Sequence, residues 1–140
     1  VYSTTNGTNA IHLASSAREV LIGAYLNLRS LTEYVAGSNS DLIILCAGWK
    51  NKFNLEDTLF AGALAKGVLQ EGNHTTICDS AIGAIDLYDL ARDNMMSYID
   101  KVAQRERLRK NGLDDVIGYC HAIDQTHVIP VLRENYLTVL

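Results

Sequence analysis

The chain has 140 residues, 48% of them hydrophobic and 20% charged, with a formal net charge of -4 and a sequence pI near 5.5. That length suits one domain with a real core. The acidic balance argues against a general nucleic-acid binder, which carries a strong positive field, and no apolar run reaches the roughly 18 residues of a membrane span.

In chain order, Val1-Tyr2-Ser3 reads as extended and runs into Thr4-Thr5-Asn6-Gly7-Thr8-Asn9, a turn of small residues. An apolar face of Ile11, Ala14 and Ala17 predicts a helix over residues 9–19. Residues 20–25 form a strand candidate. Leu28, Leu31 and Val35 have helical spacing, and Gly37 ends that helix. Asp41 leads into Leu42-Ile43-Ile44-Leu45-Cys46, whose unbroken apolar character predicts a strand covered on both faces.

Asn54 is an N-cap with Glu56 and Asp57 in the following turn, ahead of an apolar stripe of Leu59, Phe60, Ala63, Leu64 and Val68. Asp79 begins a further helix carrying Ala81, Ile85 and Tyr88. Met95, Ile99 and Val102 mark a longer one that ends in Arg105, Arg107, Arg109 and Lys110 at Asn111-Gly112. Residues 128–131 and 136–140 are strand candidates, with Pro130 keeping the first short, bulged or at an edge. The expected class is α/β: a three-layer α/β/α unit with a small mixed sheet.

Several groups could carry chemistry. Thr5, Asn6, Gly7 and Thr8 could cradle phosphate through backbone amides and hydroxyls, or simply form a turn and helix cap. Cys46-Ala47-Gly48 sits at the carboxyl end of the clearest strand, where open α/β sheets build sites. Cys46 is there either a nucleophile or a small buried thiol. Lys50 and Lys52 could attract a sulfonate or phosphate, or serve as surface charges.

Glu56, Asp57 and Asp79 are acids that could hold Mg²⁺ or cap helices. Asp124 could orient a base or contact a metal, and His121 or His127 could exchange protons near neutral pH. The three cysteines, Cys46, Cys78 and Cys120, suggest neither a disulfide framework nor a cysteine zinc site, and a reducing cytoplasm fits them.

Taken together, Thr4-Thr5-Asn6-Gly7-Thr8, Cys46-Ala47-Gly48 and Leu55-Glu56-Asp57-Thr58-Leu59-Phe60-Ala61-Gly62 resemble the ComB-like 2-phosphosulfolactate phosphatase family. Asp79, Arg107-Leu108, Gly112, Asp115, Cys120, Asp124 and Pro130 continue the resemblance over essentially the whole chain. It implies Mg²⁺-dependent removal of phosphate from 2-phospho-3-sulfolactate, a step in coenzyme M synthesis, or from a similar phosphorylated hydroxy acid. Family members carry a further N-terminal region. On the resemblance, residues 1–140 are therefore a C-terminal portion, inactive or nearly so when isolated.

The implied partners are the small phosphorylated acid, the N-terminal region and, for an uncovered sheet edge, a second copy. The implied roles are phosphate binding by Thr5, Asn6, Gly7 and Thr8, sulfonate binding by Lys50 and Lys52, and metal binding by Glu56, Asp57 and Asp79. Catalysis falls to Asp79, Asp124 or Cys46. The competing readings are an anion-binding or structural domain without turnover, and a phosphatase for another small phosphorylated acid.

Overall fold

A computed structural model describes residues 4–140. Val1-Tyr2-Ser3, the expected first strand, lies outside the described residues. Helix α1 spans Thr5–Ala14, starting before the expected Asn9 and stopping short of Glu19. Thr4, extended at φ -120°, is its N-cap, and the Thr8 N–H donates to the Thr4 carbonyl at 3.1 Å. Thr5, Asn6, Gly7 and Thr8 are therefore the first turn of a helix and not a free-standing glycine turn. Gly7 has no positive φ. The other end stops at Ser15, whose amide and hydroxyl both donate to the His12 carbonyl and so compete with helical bonding.

Residues 20–24 make only part of the expected strand. Leu21 forms a single antiparallel bridge to Val131, supported by Ile22 N–H to the Pro130 carbonyl at 2.9 Å and Leu132 N–H to the Val20 carbonyl at 2.9 Å. A 3-10 turn over Tyr25–Asn27 leads into helix α2, Leu28–Ala36, which ends at Gly37 as expected. Asn27 is buried and fully employed. Its amide group donates to the carbonyls of Ile22 and Val128, at 3.2 and 2.9 Å, and its oxygen accepts from the Ala24 N–H at 2.9 Å.

The strongest strand expectation is corrected. Residues 42–46 pair with nothing among the described residues, and Ile43 is 88% exposed. Their apolar character is real, but a strand needs a ladder partner as well as a pattern.

Helix α3, Leu55–Glu71, begins as expected. The Asn54 side-chain oxygen accepts from the N–H groups of Glu56 and Asp57 at 2.9 and 3.3 Å. Helix α4 spans Asp79–Ala91. The long helix expected through Met95, Ile99 and Val102 is broken in two, α5 at Met95–Ile99 and α6 at Ala103–Lys110, with Val102 extended between them. Asp100, just past α5, pairs with Arg105 and Arg109 of α6, and these guanidiniums (Arg109 first) hold its carboxyl below its ordinary range. A short helix, α7, covers Ile117–Cys120.

Strands β1, Pro130–Arg133, and β2, Tyr136–Val139, pair antiparallel from Pro130 opposite Val139 to Arg133 opposite Tyr136. Pro130 stands first in its strand, where its missing N–H is tolerated. Among the described residues the sheet is this one antiparallel pair. Helices with a small two-stranded sheet are compatible with an α/β class.

Helix α3 is the spine. Leu64 and Val68 pack with Leu31, Val35 and Ile129 in one core, while Leu59 packs with Ala91, Ile99 and Ile117 in the other. Its small residues admit neighbours on two sides. A Cβ added to Gly62 would lie 2.0 Å from the Ala84 carbonyl oxygen of α4. At Gly67 it would lie 2.8 Å from Thr32 of α2.

Two alanine substitutions separate these roles. Gly62→Ala should destabilise the fold by about 1–3 kcal/mol or more, because backbone must move. Gly7→Ala should be neutral or stabilising by up to about 1 kcal/mol, because Gly7 is helical and, among the described residues, a Cβ there meets only the rotatable Thr4 hydroxyl. Urea unfolding of both variants checks this, and a destabilised Gly7→Ala would contradict the helical assignment.

Candidate functional site

The site is organised by the loop that joins the N-termini of α1 and α3. Gly48 N–H donates to Asp57 Oδ2 at 2.6 Å, and Lys50 N–H donates to Asn6 Oδ1 at 3.4 Å. Between these tethers, Trp49 and Lys52 exchange two backbone hydrogen bonds at 3.1 and 3.0 Å, closing a two-residue turn. Lys50 and Asn51 at its tip have φ of 51° and 59°, and Gly48 has φ of 70°. Left-handed conformations at both central positions are what such a turn requires. For a non-glycine residue each costs on the order of 1–3 kcal/mol, repaid only where the surroundings hold it.

The start of α1, Cys46-Ala47-Gly48 and the Glu56/Asp57 turn are thereby brought together. Thr5, Asn6 and Gly7 contribute first-turn amides, which have no acceptor within their own helix. Lys52 lines the adjoining cleft, while the Lys50 ammonium lies 6.0 Å from the Trp49 ring centre.

A cleft of about 1210 Å³ opens beside this loop and is bordered by Gly7, Tyr25, Cys46, Glu56, Asp57 and His121. Two polar atoms on these residues are buried without a hydrogen-bond partner among the described residues: Tyr25 Oη and Glu56 Oε1. Burial, with smaller contributions from Tyr88 and Glu56, pushes the Tyr25 hydroxyl well above its ordinary range. Burial also raises the Glu56 carboxyl. The Asp57 charge adds to this, against the pull of His121, Arg107 and Arg105.

The His121 ring lies 5.5 Å from that of Tyr25. His121 Nδ1 is 3.0 Å from the Ile117 carbonyl, which can only accept. The neutral ring therefore carries its proton on Nδ1 and offers Nε2 as an acceptor. Arg107 of α6 covers the Trp49 ring at 4.2 Å and holds Gln104 with its Nε and one terminal nitrogen.

Three expected residues sit differently. Asp79 opens α4, is exposed and borders neither of the two large clefts; its neighbours Cys78 and Ser80 border the other one. Glu56, Asp57 and Asp79 consequently make no joint metal group, and no cluster of three or more His, Cys, Asp or Glu does so among the described residues. Asp124 is occupied at the start of α2. One oxygen accepts the Arg29 N–H at 2.7 Å, and the other lies 3.6 Å from the Arg29 guanidinium. Cys46 is exposed, yet desolvation and the Asp57 charge raise its thiol, against a lowering bond from Thr58. That environment weakens it as a nucleophile at neutral pH.

Nothing in the local sequence marks Tyr25 or Arg107 as site residues. The Arg107-Leu108 pair belonged to the family resemblance, but no local pattern placed it beside Trp49, and Tyr25 carries no motif at all. His121 carried only the general proton-exchange signal of histidine.

Comparison with known proteins gives a consistent result. The family model for 2-phosphosulpholactate phosphatase matches residues 1–135. Curated relatives include a "Probable 2-phosphosulfolactate phosphatase" from Clostridium novyi, 36% identical over 99% of this chain and 58% of its own length. The protein of the same name from Caldanaerobacter subterraneus is 31% identical over 96% of this chain and 56% of its own length. That from Nostoc punctiforme is 30% identical over 95% and 56%. The chain spans about half the length of the curated relatives it matches.

The electrostatics of the site are open to two measurements. For Glu56 the folded-state pKa is raised, so its ionisation opposes folding as pH climbs past the ordinary carboxylate range toward the folded value. Glu56→Gln should therefore raise stability by about 0.5–2 kcal/mol at pH 7, with the gain vanishing at pH 4. Thermal melts at the two pH values check this, and a loss of stability at pH 7 would refute it.

The thiols should also differ. Hydrogen bonds from the Ser80 hydroxyl and nearby amides lower Cys78, whereas Cys46 is raised. Iodoacetamide at pH 7.5, read by peptide mass spectrometry, should label Cys78 before Cys46; the reverse order would overturn this account.

Proposed function

The chain belongs to the 2-phosphosulpholactate phosphatase family, and from that premise we propose that a protein built on it hydrolyses the phosphate ester of 2-phospho-3-sulfolactate or a closely similar phosphorylated hydroxy acid. The observation that carries the reading is the orphaned Glu56 oxygen in a cleft bordered by the N-terminal turn of α1. A buried carboxylate oxygen without a donor is an atom that a hard cation satisfies. Glu56 and Asp57 together fit Mg²⁺, which is commonly held by one or two carboxylates plus substrate phosphate. Asp79 is not placed to join them.

When bound, Mg²⁺ would draw negative charge from the phosphoryl group. The chain's own residues supply the rest. Amides of Thr5, Asn6 and Gly7 donate to phosphate oxygens, aided by the positive end of the α1 dipole. The Thr5 and Thr8 hydroxyls extend that cradle. Lys52, Lys50 and Arg107 supply positive charge for the sulfonate from the loop side.

Water adds to phosphorus as the ester P–O bond breaks, and the proton lost by water balances the new hydroxyl of the released sulfolactate. His121, with Nε2 open, is the residue bordering the cleft best suited to move that proton. Asp124, engaged with Arg29 at α2, is the less favoured base in this reading. The region that makes up the remaining length of the relatives would supply further contacts, since such a reaction needs several groups held in tight geometry.

A phosphate-release assay on the full-length protein tests the reading. Wild type should turn over 2-phospho-3-sulfolactate, chelation of Mg²⁺ should suppress release, and Glu56→Gln should lower kcat by about 100-fold or more while remaining folded. Full activity in folded Glu56→Gln would remove the carboxylate from the mechanism. Tight binding of the substrate without release would favour an anion-binding domain, and release from a different phosphorylated acid alone would move the substrate.

A further inference from the structure

Leu42-Ile43-Ile44-Leu45 is the longest unbroken run of large aliphatic residues in the chain, yet no backbone N–H or C=O of residues 41–47 makes a hydrogen bond among the described residues. Ile44 packs on the core beside α3, while Ile43 and Leu45 are 88% and 45% exposed. Such a stretch of unpaired N–H and C=O groups is a ready template for pairing with another strand. An apolar run of this size left open marks a contact surface.

The space around the segment has a definite form. Residues 41–47 border two clefts at once, of about 1330 and 1210 Å³. The first is also lined by residues 73–76, and the second by residues 16–24. Ala10 and Leu13 of α1 border both clefts, and α3 borders both through Ala61 and Ala65 on one side and Phe60 and Leu64 on the other. Each cleft is thus a slot between helices, with an unpaired apolar backbone along one wall. An added β-strand uses such a wall through main-chain hydrogen bonds, and neighbouring strands lie about 4.8 Å apart.

We propose that both slots are filled by β-strands from the part of the full-length protein outside these 140 residues, which pair with residues 41–47 from either side and complete a central sheet between α1 and α3. Over two fifths of the relatives' own length lies outside the matched stretch, ample for two strands. A folded second copy is the poorer occupant, because both clefts are also lined by residues of α1 and α3, between which an extended segment fits more readily than a folded surface. The inference does not rest on the reaction proposed above, and its readouts are independent of activity.

Hydrogen exchange with mass spectrometry on the full-length protein tests it. Amides of residues 42–46 should exchange at least about 100-fold more slowly than in an unstructured peptide, equally at low and high protein concentration. In the same protein Ile43→Arg should lower Tm by roughly 5 °C or more, while Leu90→Arg, at a position 74% exposed on α4 and away from both clefts, should leave it unchanged. Exchange at the unstructured rate, or a silent Ile43→Arg, overturns the proposal. Protection that appears only at high concentration assigns the slots to a second copy and overturns it as well. Should Ile43→Arg fail to fold, the wild-type exchange decides.

Discussion

The close approach of helices to α3 is the constraint on which the rest of this molecule depends. Ala61, Gly62, Ala63 and Ala65 carry so little side chain that α4 sets its Ala84 backbone against Gly62, and Thr32 of α2 reaches Gly67. The larger residues of the same helix then divide their burial between two cores, Leu64 and Val68 in one and Leu59 in the other. With the helix held from both sides its N-terminus is fixed in place, and Asn54, Glu56 and Asp57 are fixed with it. The Asp57 bond to the Gly48 amide carries that rigidity into the loop, and the Lys50 bond to Asn6 carries it on to α1.

The loop shows what such support permits. Lys50 and Asn51 both occupy left-handed conformations, which are uncommon for non-glycine residues and gain from outside help. Tethers at both ends and the Arg107 guanidinium over Trp49 supply the help. Beneath the loop, Tyr25 and Glu56 keep polar atoms buried and unpartnered. Unsatisfied groups of this kind oppose folding, so their presence on one cleft wall is the physical basis for placing a ligand there. The buried Asn27, with every hydrogen-bonding group used, is the contrasting case of polarity employed purely for structure.

Helices α2 and α3 were legible in the sequence because their signals are local. The apolar spacing of Leu28, Leu31 and Val35, the stop at Gly37 and the cap at Asn54 all act within a few residues. The start of α1 was misplaced because Gly7 reads as a turn residue, whereas the Thr8 to Thr4 hydrogen bond shows a helix already under way. The break between α5 and α6 escaped for the opposite reason. Helical periodicity continues through Val102, whereas the bend is made by a turn bond from the Val102 N–H to the Ile99 carbonyl and by the pairing of Arg105 and Arg109 with Asp100.

By itself the sequence determined the family, the polar Glu56/Asp57 turn and the apolar run over residues 42–46, since each is a matter of residue identity in order. Only tertiary structure decided which of those residues meet. It joined the α1 and α3 N-termini through one loop and brought Tyr25, His121 and Arg107 to that region from distant stretches. It also gave Asp124 to the α2 terminus and left Asp79 apart. The apolar run likewise states a need for burial without naming what covers it. Local pattern reports what each segment must hide or bond, but the partner that satisfies it is set by long-range packing, to which residue spacing along the chain is blind.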